Sequence, residues 1–196
     1  MRKLFIVMFL LAIAVPAHSQ ETKTLFGPET DIGFVWGIET KSTDIKGDIG
    51  TSIGFVGGAL INHAYLVGLA VGANITHPEV NHGYLGVITQ YTYKPGELIH
   101  CSGQLFLGTG TTKDYENKKS STMDNFGNIT GPGFYIIEPG VNAEVNMNET
   151  VRLLVGLSYR IVTGLDKDDD LISKTNVKSS DFSGFHINIG VKVGKY

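Results

Sequence analysis

The 196-residue chain has one cysteine, Cys101, and one tryptophan, Trp36. A single cysteine cannot close an internal disulfide, so an exported form must be held by packing or by membrane burial. Past residue 15 no apolar run reaches the roughly 18 residues that suggest a spanning helix. Any membrane span would therefore be made of strands, whose backbone groups can be satisfied by closing a barrel. Charge of either sign is modest, 16 basic residues against 19 acidic, for a formal net of −3. Nothing in that balance suggests nucleic acid as a partner.

The first residues do carry an apolar run. Arg2 and Lys3 precede Leu4 to Val15, and Pro16 and the small-residue site Ala17-His18-Ser19 follow. That order is a secretory signal peptide over residues 1–19, cleaved near Ser19. Without Arg2 and Lys3 the mature chain has 14 basic residues against 19 acidic, a formal charge of −5. No cysteine stands at the cleavage boundary to take a lipid anchor. Residues 20–30 read as a short exposed lead and residues 31–196 as one domain.

Within that domain the dominant signal is alternation with period two. The stretch from Gly133 to Gly164 reads as two long strands joined by a turn at Asn146 to Thr150. Tyr135, Ile137, Val141 and Val145 fall on one face, and Glu138, Gly140, Asn142 and Glu144 on the other. On the return, Leu153, Val155, Leu157 and Ile161 oppose Arg152, Gly156, Ser158 and Arg160. The same pattern predicts strands over 31–40 and 49–61, two more around Tyr65 to Asn74 and Leu85 to Tyr93, and others over 98–111 and 184–194. Polar links are expected at 41–48, near Pro78, at 112–132 and at 165–181, with tight turns at Asn62-His63, at Pro95-Gly96 and near Asn148. The count is eight strands.

A soluble sandwich or lipocalin would point its apolar face inward. Here the other face holds glycine, amide and charge, with only Gly57 and Gly103 on the apolar phase within strands. Glycine weakens a strand unless crowding demands it, and the interior of an eight-stranded barrel is only wide enough for side chains. The fold class expected is therefore all-β, an eight-stranded antiparallel up-and-down transmembrane barrel with its apolar face on lipid and a plugged polar lumen. The expected location is the bacterial outer membrane, where lipid and lipopolysaccharide are its surroundings.

The segment EPGVNAEVNMNETVRLLVGLSYRIVTG, with the closing DFSGFHINIGVKVGKY, resembles small outer-membrane β-barrel proteins of Bacteroidetes. More loosely it is similar to the OmpA and OmpX type of eight-stranded barrel. The resemblance covers nearly the whole mature chain and is most specific at Glu138-Pro139-Gly140 and Tyr159-Arg160. It implies fold and location, and no activity, because that group carries no agreed one. Tyr196 is aromatic but out of phase with Ile189, Val191 and Val193.

Glu138, Glu144, Arg152 and Arg160 share the inward phase. A turn centred near Asn148 places Glu144 across from Arg152, and Glu138 near Ser158 and diagonal to Arg160. Such groups could form a proton path or gate; a structural charge network that plugs the lumen is the reading adopted, since buried charges need partners. Glu39, His100, His186 and Lys192 could extend it. A metal at His77, Glu79 and His82, or a cation at Asp166, Asp168, Asp169 and Asp170, lacks supporting geometry or spacing, so neither metal nor cofactor is expected. Cys101 faces lipid, and Tyr65, Tyr91, Tyr93, Tyr135, Tyr159 and Trp36 are candidates for interfacial girdles.

A lipopolysaccharide deacylase would need a His-Ser pair with a carboxylate on the lipid face, and the outward strand positions offer threonines and Cys101 but no histidine. No catalytic residue is assigned. The function expected is a structural or interaction role, with an extracellular protein partner met through the two long loops. The alternatives are a soluble, secreted, lipocalin-like binder of a small ligand, with Trp36, Phe55 and Phe185 pointing inward, and, behind it, a lipid A-modifying enzyme.

Overall fold

A computed structural model describes residues 30–45, 48–76, 80–114, 133–165 and 179–196. The alternating segments form eight strands: β1 (Ile32–Ile45), β2 (Asp48–Ile61), β3 (Tyr65–Asn74), β4 (Val80–Tyr93), β5 (Ile99–Asp114), β6 (Gly133–Asn146), β7 (Val151–Thr163) and β8 (Gly184–Gly194). One helical turn, α1 (Ser179–Phe182), precedes β8. Each strand pairs antiparallel with the next, and β8 returns to β1 from Val35 opposite Gly194 to Thr43 opposite His186. Closure gives each strand a paired neighbour on both sides.

The short turns gather at one rim. Asn62 (φ 51°) and His63 (φ 58°) are both left-handed, and Ala64 N donates to Ile61 O at 3.1 Å. Two left-handed residues in this three-residue connection suit the right-handed twist of the flanking strands. At Pro95-Gly96, Glu97 N donates to Lys94 O at 3.1 Å. In the third turn the Asn148 side chain accepts from Thr150 N and Val151 N, each at 2.8 Å.

The opposite rim differs from expectation. The predicted link at 41–48 is mostly strand: β1 continues to Ile45, β2 begins at Asp48, and these two residues face each other. Polar residues there suggested a loop, yet Lys41 is buried, and polarity on the inner phase is compatible with strand in a barrel. The asymmetry of connection length thus rests on 115–132 and 164–183. Of these, 115–132 and 166–178 lie outside the described residues, as do the expected signal peptide and the lead through residue 29.

Outer and inner faces follow the predicted phases. Trp36 is 57% exposed and Phe185 74%, and Leu69, Val87, Leu107, Val155 and Ile189 are exposed on the same side. The orientation needed by a lipocalin-like binder, with Trp36, Phe55 and Phe185 inside, is not the one adopted. The interior, however, is less uniformly polar than expected. An apolar cluster including Val56, Leu60, Leu66, Tyr84, Ile88, Phe106 and Phe134 packs within it, beside the charged side chains.

Inward glycines make room for these rings. Tyr84 packs over Gly72, Phe106 over Gly86 and Gly108, and Phe134 over Gly110, so that a Cβ at any of them would collide with an aromatic ring. The outward Gly103 has nothing within 4 Å of a Cβ position. Gly110→Val should therefore destabilise the barrel by about 1–3 kcal/mol through overpacking. Gly103→Ala should stay within about 0.5 kcal/mol of the parent. Urea unfolding in detergent micelles measures both.

Candidate functional site

Glu138 and Glu144 lie six positions apart on β6, an even spacing that sends both inward but sets them about 20 Å apart along the strand. Two charge centres result. Both carboxylates are fully buried, at 0% exposure.

Around Glu138, Oε1 accepts from Lys41 Nζ at 2.5 Å and from Ser158 Oγ at 2.9 Å, while Oε2 accepts from Arg160 Nε at 2.6 Å. The Arg160 guanidinium lies 4.6 Å from the centre of the Tyr84 ring. The second centre is nearer the short turns. Glu144 Oε1 accepts from Gln90 Nε2 and Ser102 Oγ, both at 2.8 Å, and from Lys192 Nζ at 3.4 Å. Its Oε2 lies 3.3 Å from His100 Nε2 and 3.8 Å from Arg152 Nη1. Lys192 Nζ also donates to Gln90 Oε1 at 2.5 Å and sits 3.9 Å from Glu39 Oε1.

All four predicted charges therefore enter the interior, but not in the predicted register. Glu144 stands opposite Leu154 and Asn146 opposite Arg152, two residues from the expected pairing of Glu144 with Arg152. The turn is centred one residue later than Asn148, because Asn148 folds back to cap the start of β7 and Met147 N donates to Val151 O at 2.9 Å. Ser158 faces Gly140, and the pairing of β6 with β7 lapses between Ile137 and Gly140, where Pro139 has no N–H to give. Arg152 is only loosely paired with Glu144. Its Nε donates to Asn146 Oδ1 at 2.7 Å and its Nη2 to Pro95 O at 3.2 Å.

Tyr196 explains its own odd phase. Its ring lies 3.6 Å from the Arg152 guanidinium carbon and packs against the interior apolar cluster, so it caps the short-turn end instead of joining the outward row. Burial pushes its phenol above the ordinary range and keeps the hydroxyl protonated.

Lys41 is the residue that sequence reasoning missed, because it was placed in a link. The signal was its spacing of two from Glu39, which continues the inward phase. Gln90 and Ser102 lie on the inward phase of their strands, and both complete the Glu144 centre. Lys192 and His100 contact Glu144, Glu39 lies 3.9 Å from Lys192 without a hydrogen bond to it, and His186 hydrogen-bonds through Nδ1 to Gly184 O at 3.1 Å.

His82 is not a loop residue. It is buried on β4 with its ring edge-on to Phe182 at 4.8 Å, while His77, Glu79 and Asp166 to Asp170 lie outside the described residues. Among the described residues no three His, Cys, Asp or Glu side chains converge to hold a metal ion. Cys101 is exposed on the outer face. Two pairs of outer aromatics lie at different heights on the wall. Tyr65 and Tyr91 pack at 4.8 Å near the short turns, and Tyr159 and Phe185 at 4.9 Å toward the other rim.

Removing Glu138 leaves Lys41 and Arg160 buried without their shared anion. Glu138→Gln should cost about 3–5 kcal/mol in urea unfolding, the scale for breaking one partner of a buried ion pair. The exposed Lys195→Met should cost no more than about 0.5 kcal/mol. The double variant Lys41→Met with Glu138→Gln should lose less than the two single losses added together.

No protein-family model matches the chain, and no curated protein does. Among solved structures it is similar to the N-terminal β-barrel domain of Pseudomonas aeruginosa OprF, at 16% identity and TM-score 0.45, over 82% of this chain and 96% of that one. Neisserial surface protein A matches at 15% identity and TM-score 0.46, over 85% and 99% of the two chains. The Yersinia pestis outer-membrane protein Ail, in a phospholipid bilayer nanodisc, matches at 12% identity and TM-score 0.42, over 84% and 99%. The fold itself is a closed eight-stranded antiparallel barrel with an apolar outer wall and paired charges inside.

Proposed function

We propose that the chain is an integral bacterial outer-membrane barrel, exported by a cleaved signal peptide, with a lumen closed by its own side chains. Its role is structural or interactive: it holds the connections 115–132 and 164–183 at the cell surface, where they meet an extracellular protein partner, and its belt contacts lipid and lipopolysaccharide. The observation that carries this reading is the inverted wall. Large apolar side chains such as Phe34, Leu69, Tyr135 and Phe185 are exposed, while Glu138, Arg160 and Lys192 are buried. In water that arrangement would expose a large apolar surface, whereas in a bilayer the belt is solvated by acyl chains.

The interior supports a closed lumen. Ion pairs cross it at two levels, and porins that pass ordinary solutes use about twice as many strands. No catalysis is assigned. His82, His100 and His186 all point inward, away from the face where an acyl chain would lie.

Expressed in a Gram-negative host, the protein should fractionate with the outer membrane and run faster on a gel unboiled than boiled. An epitope inserted within 115–132 should be reached by antibody on intact cells, and one inserted at 147–150 only after permeabilisation. Recovery in the soluble fraction, with no shift on boiling, would overturn the reading.

A further inference from the structure

Among the described residues, Glu39 is a buried carboxylate that touches the second centre only through Lys192, at 3.9 Å. It is 2% exposed, yet its Oε1 accepts no hydrogen bond. Lys192 Nζ, at 3.9 Å, stands beyond hydrogen-bond reach and is committed to Gln90 and Glu144. A buried anionic oxygen left bare is costly, and a polar separation of this length asks whether a water lies between.

A cavity of about 10 Å³ lies beside it, lined by Glu39, Lys41 and Tyr84 together with Val56, Ala70 and Ile88. That volume matches about one water molecule, which also needs two or more polar partners. The lining supplies them. The Lys41 ammonium has three N–H donors, of which one goes to Glu138 Oε1, and Tyr84 contributes a phenol.

We propose that this cavity is a binding site for a single ordered water, which donates to Glu39 Oε1 and is held on its other side by Lys41 or Tyr84. Held by Lys41, the water links the two charge centres, from Glu138 through Lys41 and the water to Glu39, whose 3.9 Å ion pair with Lys192 leads on to Glu144. The site is set by the interior and does not depend on how the outer face is read.

A crystal structure of the full-length barrel in detergent, at about 1.8 Å, should show one water about 2.6–3.2 Å from Glu39 Oε1. Glu39 bonded directly to Lys41 or Lys192, or a dry cavity, would overturn the site. A second test fills the cavity by Ala70→Val. In the parent this should lower the temperature at which the fast-migrating folded band disappears by several degrees, because the water is expelled and Glu39 is stranded. In a Glu39→Leu background the same change should cost much less. Equal losses in the two backgrounds would sink the proposal.

Discussion

A carboxylate with no access to water governs this interior. Glu138 is fully enclosed, and an ion so placed is tolerable only if other groups replace its hydration shell. Lys41 from β1, Ser158 and Arg160 from β7 do so at 2.5 to 2.9 Å. Ser158 and Arg160 come from the neighbouring strand but Lys41 from one distant in sequence, so the full set of donors is assembled only when the sheet has closed. The ion pair and the closure of the barrel are therefore one requirement, since an open sheet would leave Lys41 away from Glu138.

The same logic shapes the rest of the lumen. Glu144 gathers donors from β4, β5 and β8, so the two centres together tie most of the wall across its inside. The remaining volume is filled by aromatic rings laid on glycines, as with Phe106 over Gly86 and Gly108. A small closed barrel narrows inward, and neighbouring inner positions cannot all carry side chains. The apolar cluster and the charged wall share the space that the glycines release.

Eight strands, their faces and the short turns were legible because each depends on neighbours close in sequence. Alternation reports the two environments of a wall, and Asn62-His63 and Pro95-Gly96 carry their own turn chemistry. Polarity misled where polar residues lie on the inner phase near a strand end. Lys41 was read into a link and His82 into a loop, although each is buried on a strand. A polar residue on the inner phase of a barrel looks like a surface residue until the far wall is in place.

The sequence by itself determined the inside-out wall, since the apolar and polar phases of every strand are a local property of period two. It also determined which residues share the lumen, Glu138, Glu144, Arg152 and Arg160 among them. Only the tertiary structure decided who pairs with whom. A change of two residues in register moved Arg152 from Glu144 to Asn146 and Tyr196, and closure brought Lys41 to Glu138. The reason is physical: alternation sets the face of a side chain, whereas its height and its partner depend on turn geometry and on strands separated by most of the chain.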